Sequence, residues 1–215
     1  MIEKSILKHG GLLALFAIVT TGLVSLTYLG TKTKIAVQIQ QQRLALLNAV
    51  IPSDYYNNQL TTSCVTVTDP RLGGEQTVYL ASLNGTPSAF AIETTATNGY
   101  SGDIDMIVGA DVSGNVLGVR VLKHKETPGL GDKIDLSVSD WILSFNDKHY
   151  SSSVKNQWKV KKDQGQFDQF TGATITPRAV VGTVAQTMQW LSEQLTEKRT
   201  TFAASPHCGV NTNEQ

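Results

Sequence analysis

The sequence lacks a net charge, a cysteine cluster and any internal repeat. Its 18 basic and 18 acidic side chains cancel at neutral pH. Without an excess of positive charge there is no extended field to attract nucleic acid or an anionic surface, so neither is expected as a partner. Its two cysteines have no CxxC motif and no histidine partner, and they therefore make a poor metal site.

Residues 11–29 contain no charged side chain and consist mostly of Leu, Ala, Ile, Val and Phe. About 20 such residues are enough to cross the hydrocarbon core of a bilayer. A charged start before the apolar run would also suit a cleaved signal peptide. The run is long, however, and it continues into a helix-like stretch without a small-residue cleavage site. We therefore predict a retained transmembrane helix at 11–29, preceded by a cytoplasmic N-terminus at 1–10.

The distribution of positive charge barely distinguishes the two sides of this segment. Lys4 and Lys8 precede it, whereas Lys32, Lys34 and Arg43 follow it. The positive-inside rule therefore gives little information about orientation.

Cys64 and Cys208 both follow the apolar segment. In an oxidising compartment they would pair, and closing so long a loop would stabilise the fold by about 5 kcal/mol in the chain-entropy model. Two unrelated buried thiols account for the sequence almost equally well. A disulfide would favour a single-pass protein with residues 53–215 in an oxidising compartment, on the side of the membrane away from the cytoplasm.

The remaining patterns predict a linker helix at 30–52, ended by Pro52, and then one domain at 53–215. Five strands are predicted, at 63–67, 77–82, 89–94, 105–110 and 116–122. Helical patterns return at 134–145 and at 177–197. Because the strands come first and the helices later, we predict an α+β domain with a mainly antiparallel sheet and flanking helices.

The most informative motif is Asp168-Gln169-Phe170-Thr171-Gly172-Ala173-Thr174-Ile175-Thr176-Pro177. It is a small, hydroxyl-rich turn that leads into a helix, with Pro177 predicted as the first helical residue and Thr176 as its cap. Thr174 then presents its hydroxyl beside a helix N-terminus, where free amides and the macrodipole favour an anion such as phosphate. An ordinary capped helix start is the alternative interpretation.

Pro177 has no N–H group to offer such an anion. The expected donors are therefore the amides of Arg178 and Ala179 and those of the Gly172-Ala173 turn.

A second motif follows the last predicted strand: His124-Lys125-Glu126-Thr127-Pro128-Gly129-Leu130-Gly131-Asp132. Pro128-Gly129 favours a tight turn, and Gly131 permits a close backbone approach. Such a loop can place backbone amides and the apolar Leu130 against a flat ligand. A plain surface loop is the alternative.

Taken together, the two motifs resemble the FMN-binding domain of the G subunit of Rnf electron-transport complexes. The C subunit of sodium-pumping quinone reductases is a close relative, and the modest chain length favours the Rnf protein. The resemblance covers nearly the whole chain. It extends to Tyr55-Tyr56-Asn57-Asn58, Gly99-Tyr100-Ser101-Gly102, Asp140-Trp141-Ile142, residues 167–181 and the cysteine pair.

This resemblance implies an FMN that a flavin transferase attaches covalently, as a phosphoester, to Thr174. Residues near the flavin would come from both motifs and from three further positions: Thr171, Gly172, Ala173, Thr127, Leu130, Gly131, Tyr100, Ser101 and Lys161. No catalytic residue and no metal is expected. His124 is interpreted as a structural or surface residue, because electron transfer requires no base.

The implied function is that of an electron carrier, rather than an independent catalyst, within a membrane complex that couples ferredoxin and NAD redox chemistry to ion transport. Its partners would be the other subunits of that complex. The resemblance also implies a single-pass protein of the bacterial inner membrane, with residues 53–215 on the periplasmic side. The alternatives are a membrane-tethered sensing or assembly module that binds a non-redox ligand, and the quinone reductase C subunit. An esterified Thr174 distinguishes the flavoprotein from the sensing module, because reversible binding does not need it.

Overall fold

The computed structural model describes residues 2–196 and Cys208. This part of the chain contains a long N-terminal helix, α1 (Ile2–Val50), a five-stranded sheet and a second helix, α2 (Ile175–Thr196). The chain divides into two compact units, Met1–Arg43 and Leu44–Gln215. The α+β class predicted from the sequence is confirmed. The predicted end of the last helix, at 197, lies outside the described residues.

The first unit is entirely helical over its described residues. Within it, His9–Lys32 is apolar enough to cross a membrane, with a mean hydropathy of 2.1. The hydroxyls of Thr20, Thr27 and Thr31 donate to carbonyl oxygens one turn earlier, at 2.8–2.9 Å. These bonds satisfy the polar side chains inside the helix itself, as an apolar surrounding requires.

The sheet consists of consecutive antiparallel neighbours in the order β1 to β5. The strands are β1 (Cys64–Asp69), β2 (Gly74–Leu83), β3 (Thr86–Ala96), β4 (Ile104–Asp111) and β5 (Val116–Lys123). All five predicted strands are present, and each extends beyond its predicted bounds at one end or both, most of all β2 and β3. Short turns join most of the strands, so each strand pairs with the next one along the chain.

Strand β4 is buried on both faces, unlike a strand with one solvated side. On one face, Met106 and Val108 belong to a core cluster that includes Val180 and Val184 of α2. Because side chains alternate along a strand, the residues between them point the other way. The α2 helix therefore covers one face of the sheet, and a second layer must cover the opposite face.

The second layer is built around the last turn of α1. Leu47 and Val50 form a separate buried cluster with Ile107 of β4. Gly109 and Gly118 lie opposite each other in the register of β4 and β5 beneath this turn. A Cβ atom on Gly109 would lie 2.0 Å from the Val50 carbonyl oxygen, so only glycine allows so close an approach.

A disulfide bond joins Cys64, the first residue of β1, to Cys208, with a Cα–Cα distance of 5.4 Å. The backbone N–H of Cys208 also donates to the carbonyl oxygen of Cys64 at 3.1 Å. The bond therefore holds a point beyond α2 against the first strand of the sheet.

The helix predicted at 134–145 is wrong. Two short 3₁₀ helices, Asp132–Ile134 and Asp140–Phe145, occupy this stretch instead. Between them the Asp135 backbone is extended, and its side chain accepts a hydrogen bond from the N–H of Ser137 at 2.8 Å. Ser139 then accepts from the N–H of Trp141 and starts the second helix. Such local side-chain bonds compete with a continuous helix.

We predict that Gly109→Ala lowers the free energy of unfolding by about 1–3 kcal/mol or more, because its methyl group would overlap the Val50 backbone. Gly182→Ala is the matched control. No heavy atom lies within 4 Å of a Cβ at Gly182 in α2, so alanine there should stabilise the helix by up to about 1 kcal/mol. Thermal unfolding of the detergent-solubilised chain measures both changes. Equal midpoints for the two variants would contradict the close packing.

Candidate functional site

The two sequence motifs meet at one pocket of about 260 Å³. One wall is the loop that follows β5, and the other is the turn that leads into α2. The lining residues are Tyr100, Glu126, Thr127, Leu130, Gly131, Gly172, Ala173, Thr174, Ile175 and Thr176. The fold thus brings together most of the residues singled out in the sequence.

Helix α2 begins at Ile175, not at Pro177 as the sequence predicted. The N–H of Arg178 donates to the carbonyl oxygen of Thr174 at 3.3 Å, which places Thr174 at the N-cap. Pro177 lies in the first turn. N–H groups there have no acceptor within the helix, so proline costs no helical hydrogen bond at this position. Thr176 is not a cap, because it is buried inside the helix and its hydroxyl donates to Glu126.

The amides expected to hold an anion are also corrected. Ala173 donates its N–H to Phe170 at 3.1 Å, and the N–H of Arg178 is used within the helix. Ala179 lies a further residue into the helical ladder. The N–H groups of Ile175 and Thr176 are the first-turn amides that have no acceptor within the helix. They lie next to the Thr174 hydroxyl, at the positive end of the helix dipole.

The loop after β5 is organised by the carbonyl oxygen of Thr127. It accepts hydrogen bonds from the N–H groups of Leu130 and Gly131 at 3.1 and 3.0 Å. Gly129 has a φ of +76°, which this tight turn requires. The Nδ1 atom of His124 accepts from the N–H of Glu126 at 3.1 Å, so His124 fixes the start of the loop.

Three lining residues, Glu126, Ile175 and Thr176, were not among the predicted flavin contacts, and Glu126 is the one of them with a charged side chain. Only 4% of it is exposed. One carboxylate oxygen accepts from the N–H of Ser101 at 2.9 Å, and the other accepts from the hydroxyl of Thr176. Glu126 therefore joins three segments of the pocket: the loop around Ser101, the loop after β5 and the start of α2.

Three predicted site residues do not line the pocket. The Lys161 ammonium group pairs with Asp168 at 2.6 Å, and both side chains are exposed. Thr171 is exposed at the tip of the turn. Ser101 contributes its backbone N–H to Glu126 instead of contributing to the pocket wall.

An ion pair outside the pocket connects Arg178 of α2 to Asp163. Arg178 donates from Nε and Nη2 to the two oxygens of Asp163, at 2.6 and 3.0 Å. Hydrogen bonding from this guanidinium lowers the pKa of the Asp163 carboxyl, and the same carboxylate raises the pKa of Arg178. Both groups are at the surface, so this pair positions the helix start more than it stabilises the fold.

The pocket combines an apolar, open rim with a polar floor. Tyr100, Leu130 and Ile175 are 67%, 45% and 46% exposed at the rim. Beneath them lie the Glu126–Thr176 hydrogen bond and the Thr174 hydroxyl at the helix N-terminus. This arrangement fits a flat, largely apolar ring that carries an anionic tail. Within residues 2–196 and at Cys208, no group of three or more His, Cys, Asp or Glu side chains could hold a metal ion.

Comparison with known proteins shows two family matches. Residues 99–189 match the FMN-binding domain, and residues 1–50 match the RnfG N-terminal region. Three similar relatives are each named as the G subunit of an ion-translocating oxidoreductase complex. That of Vibrio atlanticus (strain LGP32) is 54% identical over 88% of this chain and 92% of its own length. The Pseudoalteromonas atlantica protein is 49% identical over 96% of each chain, and that of Escherichia coli O157:H7 is 53% identical over 90% and 96%.

We predict that Thr176→Val lowers the free energy of unfolding by about 1–3 kcal/mol, because the buried Glu126 carboxylate loses one of its donors. The control is Thr171→Val, which changes an exposed threonine of the same turn and should alter stability by less than about 0.5 kcal/mol. Thermal unfolding measures both changes. If the two variants unfold at the same temperature, the hydrogen bond to Glu126 does not stabilise the pocket.

Proposed function

The chain belongs to the family of G subunits of ion-translocating oxidoreductase complexes, and from this premise we propose that its domain carries a covalently bound FMN through which the complex passes electrons. The resemblance to the Rnf protein is thereby confirmed. One observation carries the proposal for the site: the Thr-Gly-Ala-Thr turn and the loop after β5 line the same pocket, with Thr174 at the start of α2.

The residues of the pocket fit an FMN. A phosphoester on the Thr174 hydroxyl would lie at the N-terminus of α2, near the amides of Ile175 and Thr176 and at the positive end of the helix dipole. Leu130 and Tyr100 offer apolar surface to the ring system at the rim. The bound flavin supplies the redox chemistry, and the protein supplies binding, orientation and electrostatics.

The covalent bond would be made by a flavin transferase, with Thr174 as acceptor. A phosphoester prevents loss of the flavin in a compartment that holds little free FMN. Thr174 suits this role because it is half-buried in the pocket wall. Its hydroxyl is also free of hydrogen bonds to the described residues, so the modification would break none.

The pocket supports relay of electrons better than turnover of an organic substrate. Among its described lining residues there is no histidine, cysteine or lysine, and the one carboxylate, Glu126, accepts hydrogen bonds from the Ser101 N–H and the Thr176 hydroxyl, not from Thr174. The flavin would lie with one edge at the open rim, from which electrons could pass to neighbouring subunits. Membrane anchoring keeps the domain close to those subunits, so proximity replaces diffusion.

We predict that Thr174→Ala abolishes flavin fluorescence in a denaturing gel while the protein still accumulates in the membrane. The reason is that alanine has no oxygen to form the phosphoester. Thr171→Ala is the control and should retain the fluorescence, because Thr171 is exposed and outside the pocket lining. Expression without a flavin transferase should give colourless protein.

A fluorescent band of unchanged mass in Thr174→Ala would show that another residue is the acceptor. Parental protein that binds a ligand but never gains flavin, even with the transferase present, would instead favour a sensing module.

We also propose that residues 53–215 lie on the periplasmic side of the inner membrane, with a short cytoplasmic segment before the membrane helix. The disulfide between Cys64 and Cys208 supports this side, because such bonds persist in an oxidising compartment.

Thiol labelling of the unreduced, unfolded protein is predicted to find no free cysteine, whereas Cys208→Ser should expose one. Protease added outside spheroplasts should digest the domain. A domain that resists protease in intact spheroplasts, and is cut only after lysis, would reverse this topology.

A further inference from the structure

The wall of the pocket contains one buried formal charge. Among the described residues that line the pocket, Glu126 alone has an acidic or basic side chain. It is 4% exposed, whereas most glutamates in proteins lie at the surface. A buried carboxylate carries a large desolvation cost, so its presence beside a ligand pocket calls for a functional explanation.

The Glu126 carboxylate is held in one place. A Cβ atom on Gly131 would lie 2.8 Å from its Oε2 atom, and one on Gly99 would lie 3.0 Å from its Oε1 atom. The same two oxygens accept from Thr176 and from the N–H of Ser101. Packing against two glycine backbones and two hydrogen bonds leave the group no room to turn toward solvent.

Within the described part of the chain, no cation neutralises this carboxylate. The ion pairs there involve Arg71, His124, Lys161 and Arg178, and none of them includes Glu126. Its two hydrogen-bond donors, the Ser101 N–H and the Thr176 hydroxyl, are neutral. A negative charge in a poorly solvated wall acts strongly on its neighbours, because little water is present to screen it.

We propose that Glu126 is the fixed charge that sets the redox potential of the flavin in this pocket. The inference rests on the proposed function. Electrons arrive from one subunit and leave to another, while Glu126 forms no bond and exchanges no electron. Reduction increases the negative charge of the flavin, and a carboxylate in the adjacent wall opposes that increase. Glu126 therefore lowers the potential, which favours onward transfer of electrons.

The test is Glu126→Gln in the full-length, flavin-loaded protein. Glutamine keeps the size of the side chain and can still accept from the Ser101 N–H, but it removes the charge. The midpoint potential of the flavin, measured by spectroelectrochemical titration, should rise. The rise should be large enough to increase the ratio of reduced to oxidised flavin at a fixed potential at least tenfold. That change is about 30 mV for a two-electron couple. The in-gel fluorescence of the flavin attached to Thr174 should remain at the parental level.

Asp111→Asn is the matched control. Asp111 is also a buried carboxylate with neutral donors, since it accepts from the N–H groups of Ser113 and Asn115 at 2.8 and 2.9 Å. It lies at the β4–β5 turn, and the strand β5 separates it from the loop that contains Glu126. Its replacement should leave the potential unchanged.

Thr176→Val provides the opposite perturbation. It removes the hydroxyl that partly balances the carboxylate but keeps the charge, so the potential should fall. Glu126→Asp keeps the charge and should stay closer to the parental potential than Glu126→Gln. Thr176→Val therefore decides the question even if Glu126→Gln fails to load flavin.

A parental midpoint potential in Glu126→Gln would overturn the proposal. If Glu126→Gln does not load flavin, a parental midpoint potential in Thr176→Val would overturn it. A shift of the same sign in both variants would also overturn it, because it would show that Glu126 acts only as a structural bridge. A different result would contradict the proposed function: the unmutated protein would carry no flavin on Thr174.

Discussion

The structure depends on a sheet whose fourth strand has no solvated face. Burial of β4 on both sides requires a layer of helix above it and another below it. The upper layer is α2, and the lower one is the last turn of α1, which reaches the backbone of the sheet only because Gly109 and Gly118 have no side chains. Once α2 is fixed on the sheet, its N-terminus has a defined position. The polar start of that helix is where the pocket forms.

The pocket is in turn a junction between segments that are distant along the chain. Thr176 and Glu126 are separated by 50 residues, and their hydrogen bond connects the start of α2 to the loop after β5. The same carboxylate binds the backbone at Ser101. A ligand in this pocket is therefore surrounded by groups whose relative positions depend on the whole domain. This arrangement suits a cofactor that must be held still while electrons pass.

Local patterns were sufficient to predict the five strands, because each is a β-rich run that ends near a turn. The Ser113-Gly114-Asn115 turn between β4 and β5 is one example. The helix predicted at 134–145 was wrong because Asp135 and Ser139 hydrogen-bond to nearby amides and interrupt it. Glu126 was not identified as a site residue, since its partners are remote in sequence. The motifs could be recognised one by one, but the contact between them could not.

The disulfide makes the domain a covalent ring. It joins residues that are 144 positions apart, so every strand after Cys64 and the whole of α2 lie within one closed loop of chain. A single backbone cut anywhere inside that loop would leave both fragments joined and still attached to α1. A cut at residues 51–63, before the ring begins, would instead release the ring intact. A single break therefore separates the domain from its anchor only where it falls before Cys64.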